Sequence, residues 1–135
     1  MRLFLDANIL FTAAHNPKGK ARLVIELGTR GYWELFSSPY ALEEARRNLE
    51  RKFSHILNDL GTLQHDISLV EHHADLAFPE RLAQKDQPIF QAALACRATH
   101  LLTGDLGDFG PFMNQPENTF GMCIQTVAEF LNNLG

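Results

Sequence analysis

The sequence predicts an α/β protein of three layers, in which a mostly parallel sheet of four or five strands lies between helices. Short apolar runs such as residues 2–5 and 100–103 alternate with longer amphipathic segments, and this alternation is typical of parallel sheets that are covered on both faces. The 135 residues suffice for one domain with a proper core and are too few for two ordinary ones. We therefore expect a single domain over residues 1–135.

The N-terminal third of the chain predicts two strands and a helix. The first strand, residues 2–5, is an apolar run that stops at the carboxylate of Asp6. A helix over residues 20–30 ends among glycines, which are common just after the last helical turn. A second apolar run then predicts a strand over residues 33–36.

The middle of the chain predicts a long helix and two shorter elements. Ser38 can cap a helix and Pro39 fits its first turn, so we expect a helix over residues 39–52. Apolar residues recur along it at helical spacing. A further helix is expected over residues 54–64 and a short third strand over residues 67–70.

The C-terminal part repeats the strand and helix pattern. Asp86 opens a helix with Pro88 in its first turn, and residues 100–103 form the fourth predicted strand. Glycines and prolines predict a long loop over residues 104–121. A last strand and a last helix are expected over residues 122–125 and 126–133.

Composition and charge restrict the function classes. No apolar stretch approaches the length of a membrane span, and two cysteines in apolar contexts are typical of reduced thiols, so we expect a cytoplasmic protein. A net charge of −4 argues mildly against a generic nucleic-acid binder, but every Lys and Arg lies at or before Arg97. A polyanion would approach the N-terminal half, where the candidate contacts are Lys18, Lys20, Arg46 and Arg47. The alternative is that the basic run simply forms the solvated face of a helix.

Acidic residues from distant parts of the chain are expected to converge at one edge of the sheet. In a right-handed strand–helix–strand unit, each helix begins at the carboxyl edge of the strand before it. The residues placed there are Asp6 and Asp105 at strand ends, Asp86 and the pair Glu43 and Glu44 at helix starts, and Asp108 in the following loop. Each also has an ordinary structural explanation, because Asp caps helices, Glu complements a helix dipole and Asp is common in turns.

Carboxylates that meet in one crevice repel one another, and a divalent cation removes that conflict. Mg²⁺ and Mn²⁺ prefer oxygen ligands. Such an ion can stabilise the charge of a phosphodiester and lower the pKa of a bound water. Six histidines have neither zinc-ligand spacing nor cysteine companions, so we expect them on the surface or in loops.

Four segments of the sequence together resemble the motifs of PIN-domain ribonucleases. They are, in order, residues 5–10 (LDANIL), 38–45 (SPYALEEA), 85–95 (KDQPIFQAALA) and 103–109 (TGDLGDF). The resemblance spans roughly residues 3–131. It implies a PIN-like fold and a metal-dependent endoribonuclease that hydrolyses RNA phosphodiester bonds with a metal-activated water.

The resemblance also implies roles for individual residues. It implies Mg²⁺ or Mn²⁺ as the cofactor, with Asp6, Glu44, Asp86 and Asp105 as catalytic residues, and Asp6, Asp86, Asp105 and Asp108 as metal ligands. Asn8 and Thr103 would be polar neighbours that orient ligands. Glu44 is preferred to Glu43 because the motif's glutamate directly precedes a small or apolar residue. The Thr-Gly-Asp ending is similar to that of toxins of bacterial toxin–antitoxin pairs, which implies an antitoxin partner and a homodimer.

Two other functions are compatible with part of this pattern. Asp6 followed by Asn8 is similar to the start of haloacid-dehalogenase-type phosphatases, where the first Asp is a nucleophile. That family has a second Asp where this chain has Asn8. The other alternative is a non-catalytic RNA- or protein-binding module with a degenerate acidic site.

Overall fold

A computed structural model describes residues 1–134. Five strands form one sheet in the order β3-β2-β1-β4-β5, and every neighbouring pair is parallel. The strands are β1 (Arg2–Leu5), β2 (Glu34–Ser37), β3 (Ser68–Leu69), β4 (His100–Leu102) and β5 (Cys123–Gln125). The helices are α1 (Ala7–His15), α2 (Lys20–Thr29), α3 (Pro39–Phe53), α4 (Leu57–Leu63), α5 (Gln87–Ala95) and α6 (Val127–Asn132).

The three-layer α/β class predicted from the sequence is confirmed. Right-handed crossovers place the helices between β1, β2 and β3 on one face of the sheet. Helix α5 connects β3 back to β4 and therefore covers the opposite face. The central strands β1 and β4 are apolar on both sides because both faces of the sheet are covered there, and Leu3, Phe4, Leu101 and Leu102 are completely buried.

Local sequence explains where several elements begin and how closely they pack. Ser38 caps α3, because its hydroxyl accepts a 3.1 Å hydrogen bond from the amide of Ala41, and Pro39 follows in the first turn. Thr126 and Glu129 form a reciprocal capping box at the start of α6. Gly28 lets α2 approach the sheet, since a Cβ there would lie 2.5 Å from the side chain of Leu35.

The structure corrects several sequence-based boundaries. Helix α1 was not predicted; it starts directly after β1 without a loop. The helix expected over residues 54–64 is a short 3₁₀ turn followed by α4, and the third strand has two residues. The prediction that all histidines lie on the surface or in loops is wrong for His100. It begins β4 and is half-buried, and its ring packs edge-on against that of Phe130, with the two ring centroids 5.0 Å apart.

None of the helices within residues 1–134 is both long and apolar enough to cross a membrane.

Candidate active site

The candidate site lies where β1 and β4 end side by side. These strands are neighbours in the sheet, and the amide of Asp6 donates a 3.1 Å hydrogen bond to the carbonyl of Leu102. Thr103 follows directly on the other strand and is completely buried. Asp6 and Thr103 therefore lie side by side at the carboxyl edge of the sheet.

Asp6 is 3% exposed and accepts hydrogen bonds on both carboxylate oxygens. Its Oδ1 caps α1 by accepting from the amide of Ala7 at 2.7 Å. Its Oδ2 accepts from the hydroxyl of Thr103 at 2.8 Å and from the side chain of Asn8 at 3.2 Å. Burial raises the pKa of Asp6, the hydrogen bonds oppose this, and the charge of Glu44 adds to the rise.

Asn8 joins the two strand ends through both ends of its amide. Its Nδ2 donates to Asp6 and contacts Thr103 Oγ1 at 3.4 Å, while its Oδ1 accepts from the amide of Gly104 at 2.6 Å. A Cβ at Gly104 would lie 3.3 Å from that same Oδ1. The close contact therefore favours glycine at this position.

Three carboxylates form a compact acidic group beside Asp6. Asp86, Asp105 and Asp108 each present a carboxylate oxygen, and these oxygens all lie within 4.8 Å of one another. A side-chain hydrogen bond closes a turn in the loop after β4, where Oδ1 of Asp105 accepts from the amide of Asp108 at 3.1 Å. The amide of Asp105 in turn donates to the hydroxyl of Thr103 at 3.0 Å. The acidic loop is thus linked to Asp6 through the buried side chain of Thr103, in addition to the link through Asn8.

Asp86 differs from its two neighbours in its surroundings. It is 6% exposed, and its Oδ2 is buried without a hydrogen-bond partner in the described part of the chain. Its side chain does not cap α5, so the ordinary helix-cap explanation does not hold. Burial, and then the neighbouring Asp108 carboxylate, raise the pKa of Asp86 to about 7. A buried carboxylate oxygen without a donor is costly unless a cation meets it, and Lys85 Nζ lies 3.6 Å from this same oxygen, beyond hydrogen-bond distance.

Lys85 supplies a positive charge to the acidic group. Its Nζ lies 2.7 Å from Asp108, 3.6 Å from Asp86 and 3.7 Å from Asp105. A hydrogen bond to Asp108 raises the pKa of Lys85 above its ordinary value. The same contact lowers the pKa of Asp108. Sequence reasoning did not assign a role to Lys85, although its position directly before Asp86 was a signal that a cation stands beside the acids.

The structure separates the two glutamates of α3. Glu43 is exposed, and Arg46 donates to both of its carboxylate oxygens at 2.9 and 2.6 Å. Glu44 is half-buried and lies close enough to raise the pKa of Asp6. It also lies near Tyr40, whose hydroxyl donates to the Lys85 carbonyl at 2.8 Å. Glu44 is therefore the glutamate on the side of Asp6, as the sequence favoured, and its catalytic role stays a prediction.

The predicted basic residues are not equally free to bind a polyanion. Arg46 bonds Glu43 and donates to Glu50 at 2.8 Å, so its guanidinium is occupied on both sides. Arg47 is more exposed, and its contact with Glu43 is weaker, because Nε of Arg47 lies 4.0 Å from Oε1 of Glu43. Lys20 lines a cavity of about 480 Å³ that also includes Asn8, and it borders a second depression that it shares with Lys18.

The predicted site residues thus fall into two connected sets. The acidic group contains Asp86, Asp105 and Asp108. Asp6 lies outside that 4.8 Å cluster in the described structure, joined to it through Thr103 and Asn8, with Glu44 nearby. The expected oxygen-rich set of ligands therefore has three closely spaced members, and direct metal binding by Asp6 stays a prediction.

Comparison with a family model agrees with this arrangement. A model described as "PIN domain" matches residues 2–107, which contain β1 to β4, Asp6, Asp86 and Asp105, while Asp108 lies one residue beyond the matched range. Among curated proteins, none matches the sequence significantly.

Two solved structures share the fold. VapBC2 from Rickettsia felis, solved bound to a DNA fragment from its promoter, gives a TM-score of 0.65 at 14% identity, covering 93% of this chain and 98% of the other. VapBC-1 from nontypeable Haemophilus influenzae gives a TM-score of 0.57 at 14% identity, covering 95% and 99%. At this identity the likeness shows the fold alone.

Proposed function

This chain belongs to the PIN-domain family, and from that premise we propose that it is a metal-dependent endoribonuclease that hydrolyses RNA phosphodiester bonds. The observation that carries the proposal is the acidic group at the carboxyl edge of the sheet, with a buried Asp86 oxygen that lacks a hydrogen-bond partner among the described residues. Open α/β sheets bind their ligands at this edge.

The donor set fits a hard divalent cation. Asp86, Asp105 and Asp108 offer only oxygen atoms, and no His or Cys joins the group in the described structure. This set suits Mg²⁺ or Mn²⁺ better than Zn²⁺. When bound, the ion would neutralise charge on the scissile phosphate and make water a better nucleophile.

The residues around the acidic group support it in distinct ways. Thr103 and Asn8 fix the Asp6 carboxylate by hydrogen bonds, and Thr103 also accepts a hydrogen bond from the backbone amide of Asp105. Glu44, on α3, lies close enough to Asp6 to raise its pKa, and it would accept a proton or a hydrogen bond from the attacking water. In-line attack by water would leave a 5′-phosphate and a 3′-hydroxyl.

RNA would approach over α3. Tyr40, Glu44 and Arg47 are spaced by four and three residues and therefore share one face of this helix. The positive charge of Arg47 opposes the rise in the pKa of Tyr40, to which burial and the charges of Glu44 and Asp86 contribute. Lys20 lines a pocket together with Asn8 and Gly104. Arg47 and Lys20 would contact the RNA backbone, with Lys18 in the depression next to Lys20 and Arg46 held by its ion pairs.

The two solved neighbours are named as VapBC assemblies, one of them bound to promoter DNA. By analogy of fold, we extend the proposal to a toxin-type protein of the cytoplasm that forms a homodimer and binds an antitoxin protein. Co-expression with the product of an adjacent small gene tests this part, because a toxin of this type is expected to co-purify with that product and lose RNA cleavage.

The structure gives the phosphatase alternative no support. A nucleophilic aspartate must be free to attack, whereas Asp6 is buried and accepts three hydrogen bonds. Asn8 also bonds both Asp6 and Gly104, so the acid–base position is filled by an amide that cannot transfer a proton.

Cleavage of single-stranded RNA tests the proposal directly. The wild-type protein is expected to cleave with Mg²⁺ or Mn²⁺ and to be inactive with EDTA, while Asp105→Asn lowers the rate by at least about 10²-fold. Asp75→Asn, an exposed acid outside the site, is the matched control and keeps the wild-type rate. Products ending in a 2′,3′-cyclic phosphate would contradict the mechanism, because they require the ribose hydroxyl as nucleophile.

A further inference from the structure

One ammonium group contacts every member of the acidic group. Lys85 Nζ lies within 4.0 Å of a carboxylate oxygen of Asp86, Asp105 and Asp108, and nearest to Asp108 at 2.7 Å. These are the same three residues whose oxygens are spaced closely enough to surround one ion. The described structure therefore already places a cation among the predicted metal ligands.

The backbone of Lys85 is fixed, while its side chain is free to leave. Its carbonyl accepts a 2.8 Å hydrogen bond from the Tyr40 hydroxyl, and it belongs to the 3₁₀ turn Gln84–Asp86. Its side chain is 65% exposed, so the four-carbon stem reaches the acids from the solvent side. Rotation about this stem would move the ammonium into water without disturbing the turn.

We propose that Lys85 is a built-in competitor of the divalent ion, an inference that rests on the metal dependence proposed above. In the metal-free protein the ammonium neutralises part of the charge of the three carboxylates, which would otherwise repel one another. An ion bound by the same oxygens would lie within a few ångströms of the ammonium and repel it. The ammonium therefore leaves as the ion binds, and the free energy of that displacement weakens the affinity for metal.

The opposite role would leave a different signature. If Lys85 served only to hold the three carboxylates in place for metal binding, removing it would weaken metal binding. If Lys85 competes with the metal, removing it strengthens binding and destabilises only the metal-free protein. Affinity and stability thus change in opposite directions under the competitor model.

Calorimetric titration of the full-length protein with Mn²⁺, after removal of metal with EDTA, distinguishes these roles. Lys85→Gln is expected to bind Mn²⁺ about tenfold more tightly than wild type, equivalent to about 1.4 kcal/mol. Arg81→Gln is the matched control, because it removes an exposed cation four residues earlier and changes the net charge equally. Its affinity should stay within about twofold of wild type, since exposed charges at a distance are screened.

Melting temperatures give a second readout that does not depend on activity. In EDTA, Lys85→Gln melts below wild type, and saturating Mn²⁺ removes this difference. Equal or weaker Mn²⁺ binding by Lys85→Gln, with wild type binding normally, overturns the competitor role and leaves the nuclease proposal intact. If wild type neither binds Mn²⁺ nor cleaves RNA, the proposed function fails and this inference fails with it.

Discussion

The hydroxyl of Thr103 donates a 2.8 Å hydrogen bond to the carboxylate of Asp6, although the two residues are 97 positions apart in the sequence. The same hydroxyl accepts a 3.0 Å hydrogen bond from the amide of Asp105. One completely buried side chain thus connects the end of β1 to the acidic loop that follows β4. The position of the acidic group relative to Asp6 depends on this contact.

Replacing Thr103 with Val keeps the shape of the side chain and removes this hydroxyl. We expect the free energy of unfolding to fall by about 1–3 kcal/mol, because Asp6 Oδ2 loses one of its two donors and the amide of Asp105 loses its acceptor. RNA cleavage should fall at least about tenfold as the acidic loop shifts. Urea unfolding and single-turnover cleavage measure the two effects.

Thr119→Val is the matched control for this substitution. Thr119 is equally buried, and its hydroxyl donates to the carbonyl of Met122 at 2.6 Å, in a loop that contains none of the acidic group. A similar loss of stability with unchanged cleavage is expected. Equal losses of cleavage in both variants would mean that Thr103 acts only through general stability.

Asp86 is expected to make the metal-free protein less stable as the pH rises. Its pKa of about 7 in the folded state exceeds the ordinary value of an aspartate, mainly because of burial. The folded state therefore binds more protons than the unfolded state between about pH 4 and pH 7, and the free energy of unfolding falls through that window. Asp86→Asn removes this contribution, so the variant should match wild type near pH 4 and exceed it above pH 7.

Urea unfolding in EDTA at several pH values checks this prediction. The free energy of unfolding of Asp86→Asn should exceed that of wild type by an amount that grows by at most about 1.4 kcal/mol per pH unit. Asp75→Asn, which changes an exposed acid, should follow the wild-type profile. Parallel profiles for wild type and Asp86→Asn would show that Asp86 has an ordinary pKa.

The topology and the family were predictable because they depend on patterns that the chain repeats. Apolar runs that stop at Asp6 and before Asp105 predicted strands, and parallel pairing of β1 with β4 then brings their carboxyl ends together. Helix α1 escaped prediction because it starts directly after β1 with no turn residues between them. The acid that marks the end of the strand is also the N-cap of this helix.

The finer arrangement of the site depends on side-chain directions that spacing cannot give. Asp86 stands where a helix cap is expected, yet its side chain turns toward Asp108 instead of the α5 amides. Lys85 lies in the 3₁₀ turn that precedes α5, and from there its ammonium contacts the acids. Neither fact follows from composition or periodicity, since both depend on backbone angles within one turn.

Glu44 and Glu43 are expected to respond differently to substitution by Gln. Glu44 lies beside Asp6, so Glu44→Gln should lower the rate of RNA cleavage at least about tenfold by removing a proton acceptor. Glu43→Gln loses only an exposed surface pair with Arg46 and should cleave at the wild-type rate. Cleavage rates under saturating metal measure both, and loss of cleavage in Glu43→Gln alone would reverse the assignment.

Arg47 and Arg46 offer the same kind of comparison for RNA binding. Arg47 lies near Tyr40 on the face of α3 that also contains Glu44, whereas Arg46 is held by Glu43 and Glu50. In an Asp105→Asn background, which prevents cleavage, Arg47→Gln should weaken binding of single-stranded RNA. It should also make the dependence of log affinity on log salt shallower by about 0.7, the value for one lost phosphate contact. Arg46→Gln should leave both quantities unchanged, because RNA would have to displace two carboxylates to reach that guanidinium. Equal salt slopes in all three proteins would place the RNA on a different surface from the one that α3 presents.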